Sequence, residues 1–431
     1  MLSEAQADEI TTLRQGVDYA LQHNRWLAAD VSAVEQARAG QDQANGRLMP
    51  RLDLSTGVQR TDAPSSYFGT RLNHQQITAA DFSPAFLNNP GFINNYQTRL
   101  NVSMPIYRGG ALWAGRRQAD HQTDASIFNH DYMRQQVIFQ TISAYVRTRQ
   151  KLAGIHAVKS AVSAAEKHYK DTKALQKRGV LIDSDVMDAR VHVLRSKLKL
   201  KQADNAYAQA LEVLQRVMGL DSNGLLLATE EPHLAENRFT LTKAVAQALI
   251  SRADLQGLEQ AYQAALANID YNKAAFLPHV DLVAGQEWNS STLALKHRNT
   301  MIGATVRVNL FSGGSDKAKM RAAQAKLVAL ELNINDRKQQ IRNEVAQAWR
   351  MLDESRARKE SEREALKQSE ESLRIKALRY EQGLAKTSDL LDAQLQVDQT
   401  RLSAIRANYD VTISQAALLL AVGVLNEGVI Q

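Results

Sequence analysis

Cysteine is absent from all 431 residues, which excludes disulfides and thiolate metal sites. Proline is scarce and unevenly placed: seven residues (Pro50, Pro64, Pro84, Pro90, Pro105, Pro232 and Pro278) leave 106–231 and 279–431 without one. Proline breaks helix interiors, so those stretches are free to form very long helices. Long apolar runs are also missing. Val411–Leu425 comes nearest, but it contains Thr412, Ser414 and Gln415 and falls short of the roughly 18 residues that span a bilayer as a helix. The opening Met-Leu-Ser-Glu-Ala-Gln-Ala-Asp has neither the basic start nor the apolar core of a signal peptide, so an exported form would carry its leader outside this chain.

Catalytic signatures are lacking too. The ten histidines are scattered; His121 and His130 stand nine apart, and no His-Glu-x-x-His or Gly-x-Ser-x-Gly occurs. No enzyme activity, metal or cofactor is expected. A net charge of +7 invites a nucleic-acid reading, yet Lys and Arg alternate with Asp and Glu throughout and form no dense basic block. Mixed, solvated helix faces account for that balance, so no nucleic-acid partner is expected. Mean hydropathy is −0.37, and the proline-free stretches are rich in the strong helix formers Ala, Gln, Leu, Lys, Arg and Glu.

What the chain does have is a duplication. Residues 102–219 recur at 306–423 with a constant offset of 204, pairing Gly109, Gly110, Gly179, Ser184, Asp185, Asp188 and Gly219 with Gly313, Gly314, Gly383, Ser388, Asp389, Asp392 and Gly423. Upstream the offset becomes 228, matching Pro50-Arg-Leu-Asp53 to Pro278-His-Val-Asp281. A repeat this long is an architecture and is read before any motif. Each copy opens with a helix, expected at about Glu4–Asn45 and Thr242–Lys273. Strands then follow the prolines Pro50 and Pro278. In Gln97–Met104, Thr98, Leu100, Val102 and Met104 alternate with polar residues, and in Met301–Leu310, Ile302, Ala304, Val306, Val308 and Leu310 do the same. That period of two gives one apolar and one polar face. Leu52, Leu54, Thr56 and Val58, and Val280, Leu282 and Ala284, supply weaker partner strands, so each copy contributes one hairpin. The first hairpin has a long loop at about 61–96 carrying Tyr67, Phe68, Phe82, Phe86, Phe92 and Tyr96. Two readings remain open at this point: small hairpins packed on helices, or strands of a membrane barrel. Four strands enclose no lumen, so the second needs oligomers, and three chains would supply twelve.

The double glycines Gly109-Gly110 and Gly313-Gly314 end the strands. No Gly-Lys-Ser/Thr follows them, so they are turns from strand to helix and not phosphate loops. A helix from Ala111 to Gln176 would run roughly 100 Å. It is expected to end near Gly179, with Ser184 and Asp185 opening the returning helix as N-cap residues. The second copy turns at Gly383 and restarts at Thr387-Ser388-Asp389. The resulting plan is 1–49 helix, 50–108 β-hairpin, 109–219 helical hairpin, 220–241 linker, 242–277 helix, 278–312 β-hairpin, 313–424 helical hairpin and 425–431 tail.

This order, with strands ending in Pro-Ile-Tyr-Arg-Gly-Gly and Asn-Leu-Phe-Ser-Gly-Gly before long helical hairpins, resembles the TolC family of outer-membrane efflux proteins over nearly the whole chain. The resemblance implies a homotrimer in the outer membrane of a Gram-negative bacterium. Twelve strands would form a barrel among outer-membrane lipid, and the hairpins an α-helical barrel across the periplasm. The linker and the chain end after Gly423 would form its equatorial belt. It also implies the exit duct of a tripartite efflux pump or type I secretion system, passive and gated at its periplasmic end, serving a periplasmic adaptor and an inner-membrane pump of the RND, ABC or MFS class. The family's gate carboxylates fall on Asp389 and Asp392, which three residues apart share one helix face. In a trimer they would make two acidic rings favouring cations. The family's latch tyrosine and its aspartate partner fall on Tyr380 and Asp185; the latch arginine is replaced by Ala385, with Lys386 adjacent. Adaptor docking falls on Gly179, Val180, Gly383 and Leu384. The rivals are a periplasmic adaptor, which would carry one hairpin instead of two, and a soluble coiled-coil scaffold, which has no use for strands with an apolar face.

Overall fold

The computed structural model describes residues 11–220, 228, 230–235 and 239–430. Residues 4–10 of the expected first helix and much of the expected linker (221–227, 229 and 236–238) lie outside them. The described residues fall into two compact units, one formed by residues up to Val34, Ser126–Gly257 and Asn333 onward, the other by Glu35–Ala125 and Leu258–Leu332.

The second unit holds the sheet. Strands β1 (Arg51–Thr61), β2 (Ile93–Arg108), β3 (His279–Ser290) and β4 (Arg298–Arg307) lie in the order β1-β2-β3-β4, all antiparallel. The β2–β3 pairing joins the hairpins of the two copies into one sheet. Strand β4 stops at Arg307, opposite His279, so Val308 and Leu310 of the expected strand lie past it. Pro278 has no amide hydrogen to continue the ladder there. The 61–96 segment is more ordered than a loop. Helices α3 (Pro64–Asn73) and α4 (Pro84–Asn88) flank a 3₁₀ turn at Ala79–Phe82, and Tyr67 packs edge-on to Phe86 as Phe68 does to Phe82.

The first unit is built from helices. The single opening helix expected in each copy is two: α1 (Leu13–His23) and α2 (Arg25–Gly46), then α7 (Leu241–Ser251) and α8 (Ala253–Lys273). The breaks at Asn24 and Arg252 differ by 228, so they are the same break inherited twice. Arg252 is not a breaker by type and tertiary contacts make its break, whereas Asn24 combines a local N-cap with a distant contact. The Asn24 carboxamide oxygen accepts from the amides of Trp26 and Leu27 at 2.9 and 3.1 Å, and its amide donates to the carbonyl of Val217 at 2.6 Å. This is an N-cap bond network that opens α2. Against each break sits the left-handed glycine ending the returning helix. Gly219 meets the His23 carbonyl, and Gly423 meets Arg252.

The long helices are α5 (Ala111–Lys177), α6 (Asp183–Met218), α9 (Ser315–Glu381) and α10 (Thr387–Val422). Thr148 on α5 donates to Ala210 on α6, and Glu166 pairs with Lys197, which fixes the antiparallel register of the first hairpin. Ser369 bonding Thr400 and Glu370 pairing Arg401 do the same for the second. In one core Val137, Ile138, Ile142 and Tyr145 of α5 pack with Leu214 and Met218 of α6 and Leu13 and Val17 of α1. Its duplicate sets Ile341, Val345 and Leu352 of α9 against Leu418 and Val422 of α10 and Ala244 and Ala248 of α7. Each fully buried aliphatic there contributes about 1.5–3 kcal/mol.

Candidate functional site

Sheet chemistry is divided by face. Register places Leu52 beside Val102, Ala284 and Ile302, and Leu54 beside Leu100, on one side. Leu54 is 71% exposed and Ile302 82% exposed, although they belong to the apolar face. The opposite face is polar and ion-paired: Arg99 holds Glu287 at 2.7 Å and Arg108 holds Asp281 at 2.8 Å. Strands β1 and β4 each pair on one side only among the described residues. An apolar face open to the surroundings, with two unpaired edges, is unstable in water and suits lipid once the edges are closed.

Pro50 and Pro278 each sit immediately before a strand, and Gly109, Gly110, Gly313 and Gly314 all adopt positive φ between strand and helix. Glycine is required most at Gly109, where a Cβ would stand 2.8 Å from both the Ala274 carbonyl oxygen and the Leu277 Cβ.

Both helical hairpins turn by the same device. The amide of Gly179 donates to Gln176 O at 2.9 Å and that of Val180 to Leu175 O at 3.1 Å; Gly383 and Leu384 repeat this on Tyr380 O and Arg379 O at 2.9 and 2.8 Å. These paired bonds close the carbonyl end of a helix in a Schellman motif. Val180 and Leu384 are left projecting, both about two-thirds exposed. The second returning helix restarts at Thr387 as expected, but the first is capped differently from expectation. Helix α6 begins at Asp183 with Ile182 at the N-cap, and Asp185, not Ser184, reaches back to accept the Ile182 amide at 3.3 Å. Asp389 does the same for Lys386 at 3.3 Å ahead of α10. Ser184 lies two residues past the N-cap, too far into the helix to cap it. A carboxylate at the third helical position answers both the free amides and the positive helix end.

Asp389 and Asp392 are both exposed on the opening turns of α10. Within the chain, Tyr380 and Asp185 do not bond each other. The Tyr380 hydroxyl is buried without a hydrogen-bond partner, and its ring lies edge-on to His168 at 5.6 Å. Among the described residues, no three His, Asp or Glu side chains gather where they could hold a metal. No helix there is long and apolar enough to cross a membrane.

Sequence reasoning missed a polar cluster just inside these turns. His168 and His192 stand eleven residues before and thirteen after Gly179, so an antiparallel hairpin sets them level, and Asp398 of α10 faces His192. The near-equal spacing about the turn was the available signal.

Comparison with known proteins places this geometry. The profile of the family described as outer membrane efflux protein matches residues 16–220 and 244–424. The protein CyaE of Bordetella pertussis is 23% identical over 427 residues, covering 97% of this chain and 85% of that protein. The outer membrane efflux protein BepC of Brucella suis is 24% identical over 340 residues, covering 78% and 70%. Among solved structures, CusC superposes with a TM-score of 0.83 at 18% identity, covering 98% of this chain and 95% of that one. The outer membrane protein VceC of Vibrio cholerae gives 0.80 at 19%, covering 95% and 96%. With its profile matched across both repeats, the chain belongs to the outer membrane efflux protein family, whose members are channels of the Gram-negative outer membrane.

Proposed function

We propose that three copies of this chain close their sheets into one twelve-stranded barrel and act together as a passive exit duct, gated at its periplasmic end. The observation that carries this reading is the four-stranded antiparallel sheet with an exposed apolar face and free edges at β1 and β4. Pairing β4 of one copy with β1 of the next satisfies both edges at once and presents the apolar face to lipid. The polar face, with its Arg99–Glu287 and Arg108–Asp281 pairs, then lines water.

In this assembly Asp389 and Asp392 form two acidic rings that narrow the duct and favour cations. Tyr380 and Asp185 flank the gate, and replacement of the latch arginine by Ala385 leaves the resting state to other contacts. The turns at Gly179-Val180 and Gly383-Leu384 present exposed apolar side chains to a periplasmic adaptor, which couples the duct to an inner-membrane pump of the RND, ABC or MFS class. The linker and chain end serve as the equatorial belt. Ala235 donates to Val429 O at 2.9 Å there, and Leu234 bridges Ile430. Relatives named for cation efflux (CusC) and for alkaline protease secretion (AprF) support a conduit as opposed to a catalyst.

Detergent-purified protein in a planar bilayer tests the reading. The expected result is a small cation-selective current blocked by a divalent cation from one side only. Absence of current from well-folded protein would refute the duct and favour an adaptor or scaffold.

A further inference from the structure

A cleft of about 640 Å³ lies between the two helical hairpins of the first unit, one to four helical turns inside the Gly179 and Gly383 tips. All four long helices line it, with His168 from α5, His192 from α6, Tyr380 from α9 and Leu390, Leu391 and Gln394 from α10. Half of its lining is Ala and Leu, which offer no side-chain hydrogen bonds, and the charged Lys167, Asp171, Arg178 and Glu381 complete it. His192 is 7% exposed and its Nε2 has no partner, as is true of the Tyr380 hydroxyl. The His168 ring rests edge-on against Tyr380, joining the first hairpin to the second through an uncharged aromatic contact. Thr172, fully buried one turn along α5, places its hydroxyl 3.5 Å from His168 Nε2 while donating to the His168 carbonyl at 2.9 Å.

We propose that His168 and His192 form an acid-sensitive fastener that holds the two hairpins together near their tips while both imidazoles are neutral. Protonating either ring puts a charge into a crevice half lined by Ala and Leu, where the His192 Nε2 is unpaired, and protonating both sets two cations on facing helices. The surrounding charges do not relieve this. Lys167 and Arg178 at α5, and Arg195 and Lys199 on α6, bring four cations; Asp171 of α5, Glu381 of α9 and Asp398 of α10 bring three carboxylates.

Burial is the main influence on both rings and pushes each below the ordinary histidine value. His192 adds to the lowering at His168 while Asp171 opposes it. At His192, Asp398 opposes the lowering, and Lys199 and Arg195 reinforce it. The Asp398 carboxyl is itself pushed up by burial, with Gln394 donating to it at 3.1 Å and pulling the other way. A base lowered in the packed state contributes fully above its free value of 6.5 and loses that contribution as pH falls towards its lowered value. Acid therefore loosens the junction.

The fastener lies inside one chain, so it stands whether or not Asp389 and Asp392 gate the duct. Amide hydrogen exchange of the full-length detergent-solubilised protein, corrected for the intrinsic pH dependence of exchange, tests it. Protection of 164–178, 186–196 and 373–381 is expected to fall several-fold between pH 7.5 and pH 5.5. Segments around Ile142 and Ile341 should keep theirs. His168→Gln with His192→Gln is expected to remove that pH dependence; equal loss in this variant and the parent would overturn the proposal. If the variant does not fold, unchanged protection of the parent protein across the same pH range overturns it without any substitution.

Discussion

Gly219 and Gly383 end helices with nearly the same backbone, φ +77° and +72°, yet alanine is predicted to be tolerated at one and not at the other. Placing a Cβ in the left-handed region costs about 1–2 kcal/mol in either case. At Gly383 an added Cβ meets nothing within 4 Å, so that cost is the whole effect. At Gly219 it would stand 2.3 Å from the His23 carbonyl oxygen and 2.9 Å from its carbon, which are backbone atoms at the α1–α2 break. They are held in place by Asn24 bonding Val217 and the start of α2. Forcing them apart adds about 1–3 kcal/mol, as overpacking does, for a total of about 2–5. An unfolding entropy near 2.1 cal/mol/K per residue over 431 residues gives about 0.9 kcal/mol per degree. Far-UV circular dichroism melts of the detergent-purified protein should then show midpoint drops of about 1–2 °C for Gly383→Ala and about 2–5 °C for Gly219→Ala. Gly423→Ala, whose Cβ would stand 3.0 Å from Arg252, should fall between them. Equal drops at Gly219 and Gly383 would refute the claim that the helix break and the glycine are fitted to each other.

Arg252 is 3% exposed and bonds Asp254 at 2.9 Å and Glu344 at 2.5 Å, so Arg252→Ala should cost about 3 kcal/mol by strict comparison of denaturation midpoints. Arg337 still holds Asp254 at 2.6 Å and keeps the loss from being larger. Burial alone would raise the Asp254 carboxyl, but hydrogen bonds and charge from Arg252 and Arg337 outweigh it and hold the group below its ordinary 3.8. Its stabilisation is thus present above pH 3.8 and lost as pH falls through the lowered value, and an acid titration of Arg252→Met should show a weaker dependence. Burial pushes the Tyr145 phenol up to about 12, so its contribution is full below pH 10 and fades as pH rises through 12, measurable as alkaline loss of helicity. Tyr145→Phe removes its bonds to the carbonyls of Thr11 and Glu230 and should cost about 1–2 kcal/mol in the same melts. Asp389→Ala with Asp392→Ala should weaken divalent block in the planar bilayer; unchanged block would remove both residues from the gate.

Much of this fold is legible in local signals. The alternation in Gln97–Met104 names the apolar face that register then assembles from Leu52, Leu54, Val102 and Ile302. The double glycines mark strand-to-helix turns because only those positions require positive φ between elements of different period. Gly179 and Gly383 mark the hairpin tips for the same reason, and the duplication supplies a second independent reading of each feature. The breaks at Asn24 and Arg252 were not legible. Both residues sit within helix-permitting sequence, and the partners that break the helices, Val217 with Gly219 and Ala421 with Gly423, are about 170 to 195 positions distant.

The sequence by itself determined the repeat, the element types and the turns, since periodicity, proline exclusion and glycine placement act over a few neighbouring residues. Tertiary structure alone decided three further features. Pairing of β2 with β3 turned two hairpins into one sheet. Packing of α1 on α6 and α7 on α10 set where helices stop. Closure of four helices around His168, His192 and Tyr380 left polar atoms without partners. Such outcomes depend on which distant surfaces meet and on what water is excluded when they do, and neither is encoded within a single stretch of chain.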